Sequence, residues 1–127
     1  MNATTGDIIS RQMIGSPWQS HYGLFVMLGN EPHVIHNQLG GQKLEPLADF
    51  LEGRKVRSVI PTPVSGGDAG DILNKYRNMD SKEFNLFTNN CEQFAHRLAG
   101  RPVYNREFAA AIVFFLFLLA SYFVYRG

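Results

Sequence analysis

The chain has one cysteine, Cys91, and four histidines, and their spacing defines the chemistry open to it. Cys91 lies in Asn89-Asn90-Cys91-Glu92-Gln93-Phe94, where a pair of asparagines hands over to a helical pattern. Asn89 followed three residues later by Glu92 has the form of an N-cap with its reciprocal acid. Phe94, Ala95, Leu98 and Ala99 then recur at helical spacing until Gly100 ends the run. This places Cys91 in a first helical turn, where unpaired backbone N–H groups and the helix dipole lower a thiol pKa from about 8.5 towards neutrality. A thiolate so placed can attack a carbonyl carbon. Because a lone cysteine more commonly packs as a small hydrophobe, a chemical role for Cys91 depends on a base within its reach.

His21, His33 and His36 are the upstream candidates, with a third group needed to orient whichever acts as base. His21 to Leu28 reads as an apolar strand, Gly29-Asn30-Glu31-Pro32 as a turn, and His33 to His36 as the returning arm of a hairpin. A loop of four or six residues sends His21 and His36 to the same face of that hairpin and His33 to the other. With the six-residue loop His36 lies opposite Gly23, one diagonal step from His21 across a position with no side chain. An odd-length loop exchanges His36 for His33, which is therefore the rival third residue. His96, five residues after Cys91, sits about 140° round the same helix and reads as structural or solvent-exposed. Zinc held by Cys91 and two histidines is the competing use of these side chains, but no second cysteine or paired-ligand spacing supports it. No glycine-rich phosphate loop or serine nucleophile motif is present, and no metal or cofactor is called for.

The elements that must hold these residues alternate between strand and helix patterns. Gly6-Asp7-Ile8-Ile9 opens a short strand, and Gly15-Ser16-Pro17 breaks the chain before Trp18. Gly40-Gly41 ends the hairpin, and Leu44 to Leu51 reads as a short helix or irregular loop interrupted by Pro46. Val56 to Ile60 alternates as another strand, closed by Pro61 and Pro63. Asp68 to Met79 places Ile72, Leu73, Tyr76 and Met79 on one helical face with Asp68 as N-cap, and Glu83 to Thr88 reads as a last strand. Strands first and helices later predict an α+β domain, a small antiparallel sheet packed with helices.

Twelve basic residues against eleven acidic give a net charge of +1, too even to provide an electrostatic footprint for nucleic acid. One cysteine forms no intrachain disulfide, and a reducing, cytosolic setting fits. From Phe108 to Tyr125 the sequence FAAAIVFFLFLLASYFVY carries no charge. At 1.5 Å per residue it spans roughly 27 Å, which predicts a transmembrane helix. Tyr104, Tyr122 and Tyr125 fit interfacial belts, and Arg101 and Arg106 before the span against Arg126 after it favour a cytoplasmic N-terminal domain. With no signal-peptide pattern at Met1-Asn-Ala-Thr-Thr, the chain reads as tail-anchored: a domain over 1–105 and an anchor over 106–127.

Three stretches together resemble the lecithin retinol acyltransferase-like family, which includes the HRAS-like suppressor phospholipase/acyltransferases. They are Gly6-Asp7-Ile8-Ile9, then His21-Tyr22-Gly23-Leu24-Phe25-Val26 leading to Val34-Ile35-His36, and Asn90-Cys91-Glu92-Gln93-Phe94. The apolar tail after the cysteine helix is similar to that family too. Gln93 stands where the family motif has histidine, the hairpin turn is longer than the family's, and the segment between His36 and Cys91 is shorter. The resemblance implies a circularly permuted papain-like, NlpC-type thiol hydrolase fold. It also implies Cys91 as nucleophile, His21 as general base and acid, and His36 as the orienting residue, with oxyanion-binding N–H groups at the start of the Cys91 helix. The implied activity is a phospholipase A/acyltransferase working at a lipid bilayer. It would cleave a membrane phospholipid ester through an acyl-cysteine and pass the acyl group to water, an amine or a lysolipid. An NlpC-type cysteine peptidase and a catalytically inactive membrane adaptor are the alternatives on the same framework.

Overall fold

The computed structural model describes residues 2–79, 90–100 and 106–126, with side chains of the last segment described over 112–124. The expected strand over Glu83 to Thr88 lies outside these residues, as do Arg101 and Tyr104.

Five strands form one antiparallel sheet: β1 (Ile8–Met13), β2 (Ser16–Leu28), β3 (Glu31–Gln38), β4 (Gly41–Pro46) and β5 (Val56–Ile60). Their order across the sheet is β4-β3-β2-β1-β5, so consecutive strands pair as hairpins and β5 returns to the free edge of β1. Among the described residues the helices are α1 (Leu47–Leu51), α2 (Ala69–Asn78), α3 (Cys91–Leu98) and α4 (Arg106–Arg126). The architecture is α+β.

Alternation along the central strands divides the core in two. Ile8, Leu24, Val26 and Ile35 face α2 and α3 and pack with Ile72, Phe94, Ala95 and Leu98. Ile9, Phe25 and Val34 point the other way and are covered by Phe50 of α1. The second face is thinly roofed, since α1 has five residues, lacks a side-chain N-cap bond and ends on Glu52 at φ 49. In α2 the Asp68 carboxylate accepts from the Gly70 and Asp71 N–H groups, and Ile72, Leu73, Tyr76 and Met79 face the core, as their spacing predicts.

The segment expected as helix or loop over Leu44 to Leu51 contains a strand as well. Gly40 and Gly41, at φ 103 and 118, form part of a tight turn after Gln38 that sends β4 back along β3. Pro46 falls at the end of that strand rather than inside a helix.

The C-terminal expectation is corrected. A transmembrane helix over Phe108 to Tyr125, serving as a single-pass C-terminal anchor for a cytoplasmic domain, is not supported. Among the described residues no helix is long and apolar enough to cross a membrane. A helix does form there, as α4. Val113, Phe114, Phe117 and Phe123 are exposed along it.

Candidate active site

The two-residue turn at Gly29-Asn30 pairs Leu28 with Glu31, and the register runs back from there to place His36 opposite Gly23. His21 and His36 consequently share a face, one diagonal step apart, and their side chains meet: His21 Nε2 and His36 Nδ1 are 2.9 Å apart. The rings cross at 88° with centroids 5.0 Å apart. Gly23 makes this approach possible, because a Cβ there would lie 2.4 Å from Val34 Cγ1 and 3.2 Å from His36 Cβ. His33 pairs with Val26, and its Nδ1 lies 3.1 Å from the Glu31 carbonyl, away from His21.

A third member joins from β4. His36 Nε2 lies 2.7 Å from Glu45 Oε1, and Lys43 Nζ lies 3.0 Å from Glu45 Oε2. Both histidines are buried, and Phe50 covers them, near-parallel to His21 at 5.5 Å and edge-on to His36 at 5.1 Å. Arg11 locks this cover in place by donating from Nε to the Phe50 carbonyl at 2.6 Å, with its guanidinium 5.4 Å from the Phe50 ring centroid.

The protonation of the relay follows from its partners. Burial works against the Glu45 carboxylate, but Lys43 and His36 outweigh it and hold its pKa below the ordinary value, so it is ionised and can only accept. Glu45 therefore accepts the hydrogen bond that His36 Nε2–H donates. His36 is kept neutral chiefly by burial, against the pull of Glu45, which leaves its Nδ1 unprotonated. That nitrogen accepts from His21 Nε2–H. Burial first, then His36 and Arg11, push His21 down to about 3, so it too is neutral and its free lone pair is on Nδ1. The chain of donors thus fixes His21 in the tautomer that presents a base.

Cys91 approaches from the opposite face. It is the first residue of α3, whose N-cap is Asn90 rather than Asn89. Asn90 Oδ1 accepts from the Gln93 N–H at 2.9 Å, and Gln93 Oε1 accepts from the Asn90 N–H at 3.1 Å. Gln93 thus completes the capping box in place of Glu92. The β2–β3 pairing ends at Gly23 and His36, and the next β2 residue, Tyr22, directs its backbone N–H to the Cys91 sulfur, as do the N–H groups of Glu92 and Cys91 itself. Burial outweighs these donors and pushes the thiol up instead of down. The resting group is a thiol.

The structure brings His21, His36 and Glu45 into one relay and brings Cys91 to the residue beside His21. Among the described residues the side-chain hydrogen bond of His21 is to His36 and not to Cys91. His96 is buried rather than solvent-exposed, with Nε2 3.8 Å from Glu92 Oε1. Among the described residues no group of three or more His, Cys, Asp or Glu is arranged to hold a metal ion. Sequence reasoning missed Glu45, Arg11 and Phe50. Gly40-Gly41, read as a tight turn, would have placed Glu45 on a returning strand beside β3. No family model, curated protein or solved structure matches the chain.

Proposed function

We propose that the chain is a cysteine-dependent acyl-transfer enzyme, a phospholipase/acyltransferase of the lecithin retinol acyltransferase-like kind that cleaves a phospholipid acyl ester. The observation that carries this reading is the buried Glu45–His36–His21 relay, which leaves a proton-accepting nitrogen on His21 next to the strand position touched by Cys91. Burying two imidazoles and a carboxylate is costly unless each is satisfied, and such perturbed clusters concentrate at functional sites.

The steps follow from the side chains. The Cys91 Sγ–H gives its proton to His21 Nδ1 as the sulfur attacks the ester carbonyl carbon. Substrate binding must draw these two groups together, as catalytic hydrogen bonds commonly tighten only in the substrate complex. The carbonyl π electrons move to oxygen, and the backbone N–H groups at the start of α3 stabilise the oxyanion. Collapse breaks the bond to the leaving alkoxide, which takes the proton from His21 and departs as a lysophospholipid. The acyl-thioester on Cys91 is then attacked by water, an amine or a lysolipid, with His21 removing the acceptor's proton and returning it to sulfur. His36 and Glu45 stabilise the imidazolium that forms transiently at His21.

One observation favours a second reading, a non-catalytic protein on the same framework: the thiol is held above its ordinary pKa and is not bonded to His21. Incubation of the full chain with acyl-labelled phosphatidylcholine separates the two. The enzyme reading expects labelled fatty acid or acylated acceptor and an acyl adduct on Cys91 by intact mass, both lost in Cys91→Ala. Lipid cleavage undiminished in Cys91→Ala, or no cleavage and no adduct, refutes it.

A further inference from the structure

Antiparallel pairing sends the β1–β2 turn, the β3–β4 turn and the start of β5 to one end of the sheet, because Met13 pairs with Ser16, Gln38 with Gly41 and Arg11 with Val56. Outside α4, the exposed large apolar side chains among the described residues are Ile14 at 58%, Trp18 at 78% and Leu39 at 87%. All three belong to this end. Scattered single apolar residues on a surface call for no explanation, but their confinement to one end does.

Trp18 is held outward. Arg57 donates from Nη2 to the Pro17 carbonyl at 2.7 Å and from Nη1 to the Gln19 carbonyl at 3.2 Å, bracing the backbone on either side of it. Basic side chains gather where β5 starts beside β1, next to the β1–β2 turn: Lys55 and Arg57 are exposed and Arg54 is half-buried, with Glu52 the acid beside them. A Cβ built on either turn glycine, Gly15 or Gly40, would meet nothing within 4 Å, so neither turn is packed against a neighbour.

We infer that this end of the sheet is a docking surface for an anionic lipid surface, with Ile14, Trp18 and Leu39 entering the interface and Arg54, Lys55 and Arg57 meeting its headgroups. Apolar side chains on separate turns, with cations gathered along one side of them, suit a fluid, negatively charged boundary, whereas a protein partner requires a surface matched in shape to each tip. The inference rests on the lipid-ester reading above and adds to it the place of contact. His21 follows Trp18 by three residues on β2, about 10 Å along the strand, so docking here sets the acyl ester region of a lipid near the relay.

Trp18 is the only tryptophan, so the emission of the full chain reports this tip alone. On titration with mixed phosphatidylcholine–phosphatidylserine vesicles the emission shifts to the blue and is quenched by lipids brominated in their acyl chains. Leu39→Asp with Ile14→Asp weakens this partitioning on the order of tenfold, and Arg54→Glu with Lys55→Glu weakens it at low salt but much less at high salt. Co-sedimentation with vesicles while Trp18 emission is unchanged overturns the inference, because binding then runs through another part of the chain. A blue shift that grows with protein concentration and needs no vesicles also overturns it in favour of self-association. A short-chain phosphatidylcholine kept monomeric in solution separates this inference from the proposed function. Cys91-dependent cleavage of that ester with no Trp18 response to vesicles sinks the docking surface alone. A Trp18 response with no cleavage of any ester sinks the enzyme reading alone.

Discussion

Glu45→Gln tests the relay most sharply, because Lys43 dictates how the new amide must sit. The ammonium of Lys43, 3.0 Å from Glu45 Oε2, can only donate, so the glutamine oxygen turns to it and the NH2 group turns to His36. His36 Nε2 must then accept, its proton moves to Nδ1, and the donor order reverses along the 2.9 Å contact to His21. His21 ends with its proton on Nδ1, where the base should be. Restoring the productive tautomer means turning the amide away from Lys43, and the imidazolium formed during turnover has lost a charge-assisted bond of 2.7 Å. Such bonds contribute about 1.5–3 kcal/mol, and each 1.4 kcal/mol is tenfold in rate. The expected loss is therefore roughly 10²-fold in kcat for phospholipid cleavage, with KM little changed, since Glu45 does not touch substrate. Adding Lys43→Met frees the amide to rotate, and the double variant recovers about tenfold over Glu45→Gln. Activity within twofold of the parent in Glu45→Gln, or no recovery on adding Lys43→Met, refutes the tautomer argument. Thermal melts of all three variants show whether any loss comes from unfolding instead.

Three further outcomes follow from the same geometry. His21 has a folded pKa of about 3 against about 6.5 unfolded, so below pH 6.5 the unfolded chain takes up its proton first and stability falls as pH drops towards 3, by up to about 1.4 kcal/mol per pH unit. Denaturant melts between pH 7 and 4 measure this slope, and a slope unchanged in His21→Gln contradicts the burial argument. Gly23→Ala puts a methyl 2.4 Å from Val34 Cγ1 and forces β3 away from β2, at a cost of about 1–3 kcal/mol with loss of activity; unaltered stability by urea unfolding argues against the close approach. Asn90→Ala removes the cap of α3, costs about 1 kcal/mol and frays the turn that buries the sulfur, easing the burial that keeps it a thiol, so iodoacetamide labels Cys91 faster than in the parent; equal labelling rates contradict this role for the cap.

The pairing of His21 with His36 was legible only on condition of an even-length loop, which spacing left open against His33; the two-residue turn at Gly29-Asn30 decides it, and Gly23 marked where two side chains could approach. The N-cap was displaced by one residue because Asn89 and Asn90 are equally able to cap, and the choice rests on the reach of the Gln93 amide, which spacing alone does not reveal. Glu45 was missed because the short run Gly41 to Pro46 has weak alternation, and a proline beside it reads as a helix breaker as readily as a strand end. The helix-start effect on Cys91 could be read from the sequence, but the opposing desolvation could not, since it depends on how closely α3 packs against β2. The apolar tail was equally plain, yet apolar composition did not establish a crossing.

The roof over the relay is a helix of five residues, far below the length at which a helix holds itself together in water. What keeps α1 down is Phe50 and the clasp of Arg11. Lifting that one turn is a cheaper event than opening either flank of the sheet, and it lets water reach His21, removing most of what suppresses its affinity for a proton. Basicity at His21 is then a time-averaged quantity, set by how often α1 breathes. Amide exchange at Phe50 and Leu51 would act as its clock.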